Sequence, residues 1–176
     1  LGLYAARGTQ LDFHPCHRLD RNTTGLLLIA KHPEMQYQIE KQNTLTREYL
    51  ALIDGMLTPT EGTVDVPIAR ALPSIILRCV SPDGKPARTH YRTERTDGRH
   101  SLLRLRLETG RTHQIRVHLA HLGHPLLGDD LYGGSMDEIT RHALHSARLT
   151  LTHPRTGERF TIASPLPDDM ACIISL

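Results

Sequence analysis

The sequence predicts an α+β fold, a largely antiparallel mixed sheet with flanking helices. Three observations carry this. Segments with strand-like alternation outnumber segments with helical spacing. Residues 88–94 and 101–108 flank Thr96-Asp97-Gly98 and read as a β-hairpin with an Asp-Gly turn. Residues 149–151 and 159–163 read as a second hairpin, joined through His153-Pro154-Arg155-Thr156-Gly157.

Along the chain, the apolar run Leu26-Leu27-Leu28-Ile29-Ala30 is a candidate buried strand, closed by Lys31-His32-Pro33. Pro33-Glu34 then opens a helix to about Thr44. Residues 47–53 alternate well enough for a strand ended by Asp54-Gly55. Residues 57–86 hold five prolines and read as loop with short strands. In the first hairpin Leu103, Leu105 and Leu107 share one face, and Arg104 and Arg106 the other. One face would pack on a core while the other offers guanidinium groups to solvent or phosphate. Thr109-Gly110 breaks that strand. Thr112 is a fair N-cap for a helix to about Leu122, with Gly123 as its stop and Ile115, Leu119 and Leu122 on its buried stripe. Residues 126–134 read as loop, and 137–144 as a further helical turn or two.

Length and composition fit one folded domain: 176 residues, 39% hydrophobic and 23% charged. The longest apolar run is far short of the roughly 20 residues a membrane-spanning helix needs. No basic segment followed by an apolar stretch opens the chain, and it begins at Leu1 rather than Met. Three widely spaced cysteines, Cys16, Cys79 and Cys172, form neither a disulfide framework nor a CxxC pair, so a reducing cytoplasm is the plain reading. Aromatics at 4% argue against a many-ringed platform for single-stranded nucleic acid.

The total charge of +2 hides an uneven distribution. Residues 85–118 hold nine Lys/Arg against Glu94, Asp97 and Glu108. Such a run is most often a solvated face balanced by acids elsewhere. Here it is nearly all Arg, whose planar fork suits phosphate and bases, which tilts the reading towards a polyanion.

Two polar clusters could carry chemistry. His17-Arg18-Leu19-Asp20-Arg21-Asn22-Thr23-Thr24-Gly25 puts a carboxylate between two arginines, and a positioned carboxylate can act as nucleophile or base. Taken alone, the segment reads first as a structural Asp that pairs with Arg18 or Arg21 and caps a turn. The order of residues excludes the kinase catalytic loop, and no Gly-rich phosphate loop accompanies it. The second cluster, 109–118, gathers Arg111, His113, Gln114 and Arg116 at a helix N-terminus, which favours anions. Gln114 could read a base edge or hold a ribose. Twelve histidines invite a metal reading, but there is no HExxH, and His118, His121 and His124 diverge around a helix. Tyr49 and Tyr91, each in a strand, read first as packing residues.

Together the clusters resemble the RluA-type pseudouridine synthases. His17-Arg18-Leu19-Asp20-x-x-Thr23-Thr24-Gly25-Leu26-Leu27-Leu28-x-Ala30-Lys31 is similar to their catalytic motif. Arg47-Glu48-Tyr49-Leu50-Ala51-Leu52 resembles their tyrosine motif. Residues 109–118, followed by Leu122-Gly123-His124-Pro125-Leu126-Leu127-Gly128-Asp129, resemble their arginine motif and its loop. His145-Ser146-Ala147-x-Leu149 also fits, so four matches occur in order across nearly the whole chain.

The resemblance implies a pseudouridine-synthase catalytic domain that isomerises uridine in ribosomal or transfer RNA, as a monomer in the cytoplasm, without cofactor or metal. It implies Asp20 as the essential carboxylate, Tyr49 as the active-site phenol and Arg116 as the partner that ion-pairs with Asp20. Arg18 would contact or displace bases near the flipped uridine. Arg104, Arg106, Arg111, His113 and Gln114 are the expected RNA-binding residues. Two departures stand out. Thr24 occupies a position where the family usually has Ser; both carry a hydroxyl. Only sixteen residues precede His17, where the family has strands and a Lys-Pro-x-Gly-type segment, so residues 1–176 are expected to be one catalytic domain lacking its N-terminal strands. Two other readings are a catalytically inactive RNA-binding module on the same scaffold and a metal-dependent hydrolase built on the histidines.

Overall fold

The computed structural model describes residues 13–74 and 76–174. Most of the residues before His17, on which the expectation of missing N-terminal strands rests, lie outside that range. The strands are β1 (His14–Pro15), β2 (Thr24–Gly25), β3 (Ile29–Ala30), β4 (Leu45–Asp54), β5 (Glu61–Asp65), β6 (Ile68–Arg70), β7 (Arg78–Val80), β8 (Arg88–Thr96), β9 (His100–Leu107), β10 (Leu144–Thr152) and β11 (Arg159–Ala163). The helices are α1 (Pro33–Lys41), α2 (Gln114–His121) and α3 (Asp168–Ala171). The main sheet runs β11-β10-β4-β9-β8-β5, all antiparallel, and β2 adds a short parallel pairing to β10. The α+β, largely antiparallel fold read from the sequence is therefore the fold observed.

Alternation along β4 organises the interior, because successive side chains of a strand take opposite faces. Tyr49, Ala51 and Ile53 meet Leu103 and Leu105 of β9 and Ile115 and Leu119 of α2 in one core. Leu50 and Leu52 meet Leu102, Ala143, Ala147, Met170 and Ile174 in a second core on the opposite face. The sheet centre is thus buried on both sides. This corrects the expectation that the face of β9 opposite Leu103 and Leu105 is wholly free for solvent or phosphate.

Both hairpins form where expected, β8–β9 across residues 97–99 and β10–β11 across 153–158. Helix α1 opens at Pro33 and ends at Lys41, three residues short of Thr44, and Asn43 beyond it takes a positive φ.

Four local expectations fail. The run 26–30 is not one buried strand: Leu27 and Ile29 are exposed and only Ala30 is buried. Its backbone bonds scatter, Leu26 N to Ser146 O at 2.9 Å and Leu28 N to His17 Nε2 at 3.1 Å, so no continuous ladder can form. Residues 137–143 are not helical. Ala143 donates to Leu127 O at 2.8 Å and accepts from Leu52 N at 3.1 Å, which commits its backbone to the sheet region. Thr112 does not cap α2; the N-cap is His113, with φ of 57° and no side-chain cap bond. Leu122 is exposed while Ile115 and Leu119 are buried, because α2 ends at His121 before the stripe is complete.

Candidate active site

The loop carrying Asp20 is tied down on its C-terminal side, through residues 23–25. Thr23 N donates to Asp20 O at 3.0 Å, closing a turn around the carboxylate. Thr23 Oγ1 lies 2.9 Å from His142 Nε2, and Thr24 Oγ1 lies 2.9 Å from His145 Nδ1. Gly25, at φ 100°, completes the parallel pairing to β10; a Cβ there would strike the backbone carbonyl of Ser146. Only glycine fits both constraints. The loop is therefore fixed to β10, 120 residues on in sequence.

Asp20 forms part of the wall of a solvent-open cleft, together with Arg18, Arg47, Tyr49, Arg111 and His113. Tyr49 rises from β4 into it and is 4% exposed. Burial pushes the Tyr49 phenol above its ordinary value; the Arg47 guanidinium opposes this and the Asp20 carboxylate reinforces it. His17 is pushed down to about 4 by burial and by the Arg47 charge, and its Nε2 accepts from Leu28 N.

Behind Asp20 sits Arg116, buried in the first turn of α2. Its Nη1 approaches Asp20 Oδ2 to 3.9 Å. Its tight partner is Asp129: Nε and Nη2 donate to the two carboxylate oxygens at 2.7 Å each. Asp129 is fully buried. The guanidinium also lies 4.9 Å from the centre of the Tyr132 ring, a cation–π distance. The Tyr132 hydroxyl in turn meets His113 Nδ1 at 2.8 Å and accepts from Arg78 N at 3.1 Å. The expected Asp20–Arg116 pairing is thus present as a long contact, and the closer pairing goes to Asp129, in the segment 126–134 whose residues predict a loop. A bidentate pair fixes a guanidinium plane, so Asp129 decides where Arg116 points.

The expected RNA-contacting residues divide. Arg18, Arg111 and His113 line the cleft. Arg111 is held at the rim by a bond from Nε to Pro86 O at 2.9 Å. Gln114 is also in the wall, but its amide is fully committed. Nε2 donates to Arg88 O and Thr89 Oγ1, both at 3.0 Å. Oε1 accepts from Arg111 N at 2.9 Å and Thr109 Oγ1 at 2.8 Å. With both donors and both acceptor sites used, it is not free to read a base edge, and its task is to hold the 109–111 turn.

Arg104 and Arg106 project from the face of β9 opposite Leu103 and Leu105, away from the cleft. Arg104 pairs with Glu94 and, at 3.2 Å, with Glu48. Much of the basic run is neutralised in the same way, Arg88 by Asp65 and Glu108 and Arg99 by Glu138. For these residues the run is a balanced surface.

Several of the histidines serve as hydrogen-bonding parts of the scaffold. His118 is buried between Thr89 Oγ1 and Val66 O. Among the described residues no group of three or more His, Cys, Asp or Glu is arranged to hold a metal ion. Sequence reasoning missed Asp129, Tyr132, His142 and a role for Arg47. Two of them left a signal: Asp129 as the last residue of the Gly128-Asp129 segment after the arginine motif, and Arg47 as the first residue of the tyrosine motif. A carboxylate and a phenol facing one cleft, with a buried guanidinium behind the acid, can attack or deprotonate an electron-poor carbon and orient a bound ring.

A family model described as RNA pseudouridylate synthase matches residues 3–121. An uncharacterised RNA pseudouridine synthase of Bacillus subtilis, YjbO, is 45% identical over 97% of this chain and 62% of its own length. The ribosomal large subunit pseudouridine synthase D of Haemophilus influenzae is 45% identical over 90% of this chain and 54% of its own. The chain thus spans little more than half the length of such relatives. Among solved structures, human RNA pseudouridylate synthase domain containing 1 superposes with a TM-score of 0.76 at 29% identity, covering 88% of this chain and 69% of that one.

Proposed function

The chain belongs to the RNA pseudouridylate synthase family, and from that premise we propose that it isomerises uridine to pseudouridine in RNA, with Asp20 as nucleophile or base. The convergence of Asp20 and Tyr49 on one cleft, with Arg116 behind the acid, carries this reading. The C1′–N1 bond breaks, the uracil turns, and a C1′–C5 bond forms. C5 releases its proton and N1 gains one, so the reaction is redox-neutral and needs no phosphate transfer. Asp20 either attacks C1′ or assists glycal formation by taking a ribose proton. The raised Tyr49 phenol stays protonated near neutrality, which favours a neutral role against the turning ring over a role as base.

The target uridine must leave its stack at a cost of a few kcal/mol. Arg18 and Arg111 at the cleft rim are suited to offset this through base and phosphate contacts. The name of the Haemophilus relative favours ribosomal RNA over transfer RNA. Residues 1–176 act as one catalytic domain and as a monomer. The three cysteines are free thiols, in keeping with a cytoplasmic protein.

The test is tritium release from RNA carrying [5-³H]uridine, with pseudouridine identified by nucleoside analysis. Release with pseudouridine formed supports the isomerase. RNA binding without release supports the inactive RNA-binding module instead.

A further inference from the structure

Arg47 occupies an unusual electrostatic position. It stands two residues before Tyr49 on β4, so both side chains take the same face. Both line the cleft, whose wall holds Arg18, Arg47 and Arg111 but, among the described residues, one carboxylate, Asp20. The neighbouring acids have other partners: Glu48 pairs with Arg104, and Asp129 with Arg116. Arg47 itself forms no ion pair among the described residues. Its one hydrogen bond among the described residues, from Nη2 to Thr109 O, is long at 3.5 Å. Its Nε is shielded from solvent and bonded to nothing among the described residues. A guanidinium has five N–H donors in a planar fork, so most of this one's capacity is unused.

The local sequence makes room for this group. A Cβ at Gly110 would lie 2.9 Å from Arg47 Nη1, so the missing side chain lets the guanidinium rest against the Thr109-Gly110 turn. A half-buried cation without a counter-charge is disfavoured until an anion arrives. Its depth narrows the choice of anion. Tyr49, deeper on the strand, is 4% exposed, whereas Arg47 is only partly buried. A base turning against Tyr49 would leave its own backbone at the level of Arg47.

We propose that Arg47 is the anchor for a phosphodiester adjoining the extruded nucleotide. The fork takes two phosphate oxygens through N–H donors that the free protein leaves unused. This fixes how deep the sugar sits relative to Asp20. The assignment rests on reading the cleft as an RNA site.

The test uses the full chain and a fluorescein-labelled 12-residue oligo(U), with affinity measured by anisotropy from 50 to 500 mM NaCl. Each phosphate contact to a single strand contributes about 0.7 to the slope of log K against log salt. Arg47→Gln is expected to lower that slope by about 0.7 and to reduce kcat/KM for tritium release by roughly ten- to a hundredfold, the range for losing a charged hydrogen bond. Arg47→Lys keeps the charge, so it is expected to hold the slope while losing the fork, with kcat/KM falling about tenfold. If Arg47→Gln folds poorly by circular dichroism, the Lys variant decides, since a slope lowered as charge is retained contradicts a phosphate contact. An unchanged slope in a folded Gln variant would also overturn the assignment, because a contact to a neutral base carbonyl or to Tyr49 releases no counterions. A wild-type chain that released no tritium would overturn the isomerase reading while leaving the slope measurement readable.

Discussion

Arg116 donates to both carboxylate oxygens of Asp129 at 2.7 Å, yet comes only within 3.9 Å of Asp20. One buried cation therefore serves two acids unequally: Asp129 aims it and Asp20 feels its field. Asp129→Asn leaves Arg116 buried without its full counter-charge. Breaking a buried pair in this way costs about 3–5 kcal/mol. Urea unfolding should show a loss of that order, and tritium release should fall because the guanidinium is free to collapse onto Asp20. Wild-type stability in Asp129→Asn would contradict the account.

Asp20→Asn should behave in the opposite sense. Its side chain is 15% exposed and its one ion contact among the described residues is long. Stability should change by less than about 1 kcal/mol, and oligo(U) affinity by no more than a few-fold, while pseudouridine formation is abolished. Turnover near the wild-type rate would remove Asp20 from the mechanism.

Acid should destabilise the fold through His17 and His142. Burial is the main cause for both, holding each down to about 4 against an ordinary value of 6.5. The unfolded chain thus binds protons between pH 6.5 and 4 that the native state refuses. The stability this contributes is complete above pH 6.5 and is lost as pH falls towards 4. The slope is at most about 1.4 kcal/mol per pH unit for each histidine. Urea midpoints at pH 7, 5.5 and 4.5 should fall in that order, and His142→Gln should flatten the dependence.

Thr24 separates a hydroxyl requirement from a shape requirement. Thr24→Ser preserves the bond to His145 Nδ1 and should be nearly neutral. Thr24→Val keeps the shape but leaves that ring nitrogen without the hydroxyl, at about 1–3 kcal/mol. Because the same loop carries Asp20, kcat should fall more than KM rises. Equal behaviour of the two variants would show that the hydroxyl does no positioning.

The sequence alone determined the strand-rich α+β fold, both hairpins, the presence of β4 and the start of α1 at Pro33, because these follow from local alternation and turn chemistry. It also marked Asp20, Tyr49 and the arginine cluster as the places where chemistry could sit. Tertiary structure decided the rest. The apolar run 26–30 looks like a strand, but its backbone groups find partners as far apart as His17 and Ser146. Residues 137–143 lose their helical reading because Ala143 is claimed by Leu127 and Leu52. Gln114 is polar and at a helix start, yet four neighbours use up its amide. Arg104 and Arg116 are the same residue type twelve positions apart. Which is a balanced surface charge and which a buried partner depends on the acids brought to it from elsewhere, Glu48 and Glu94 for one and Asp129 for the other. Periodicity is a property of neighbours along the chain, whereas the counter-charge of a guanidinium is set by neighbours in space.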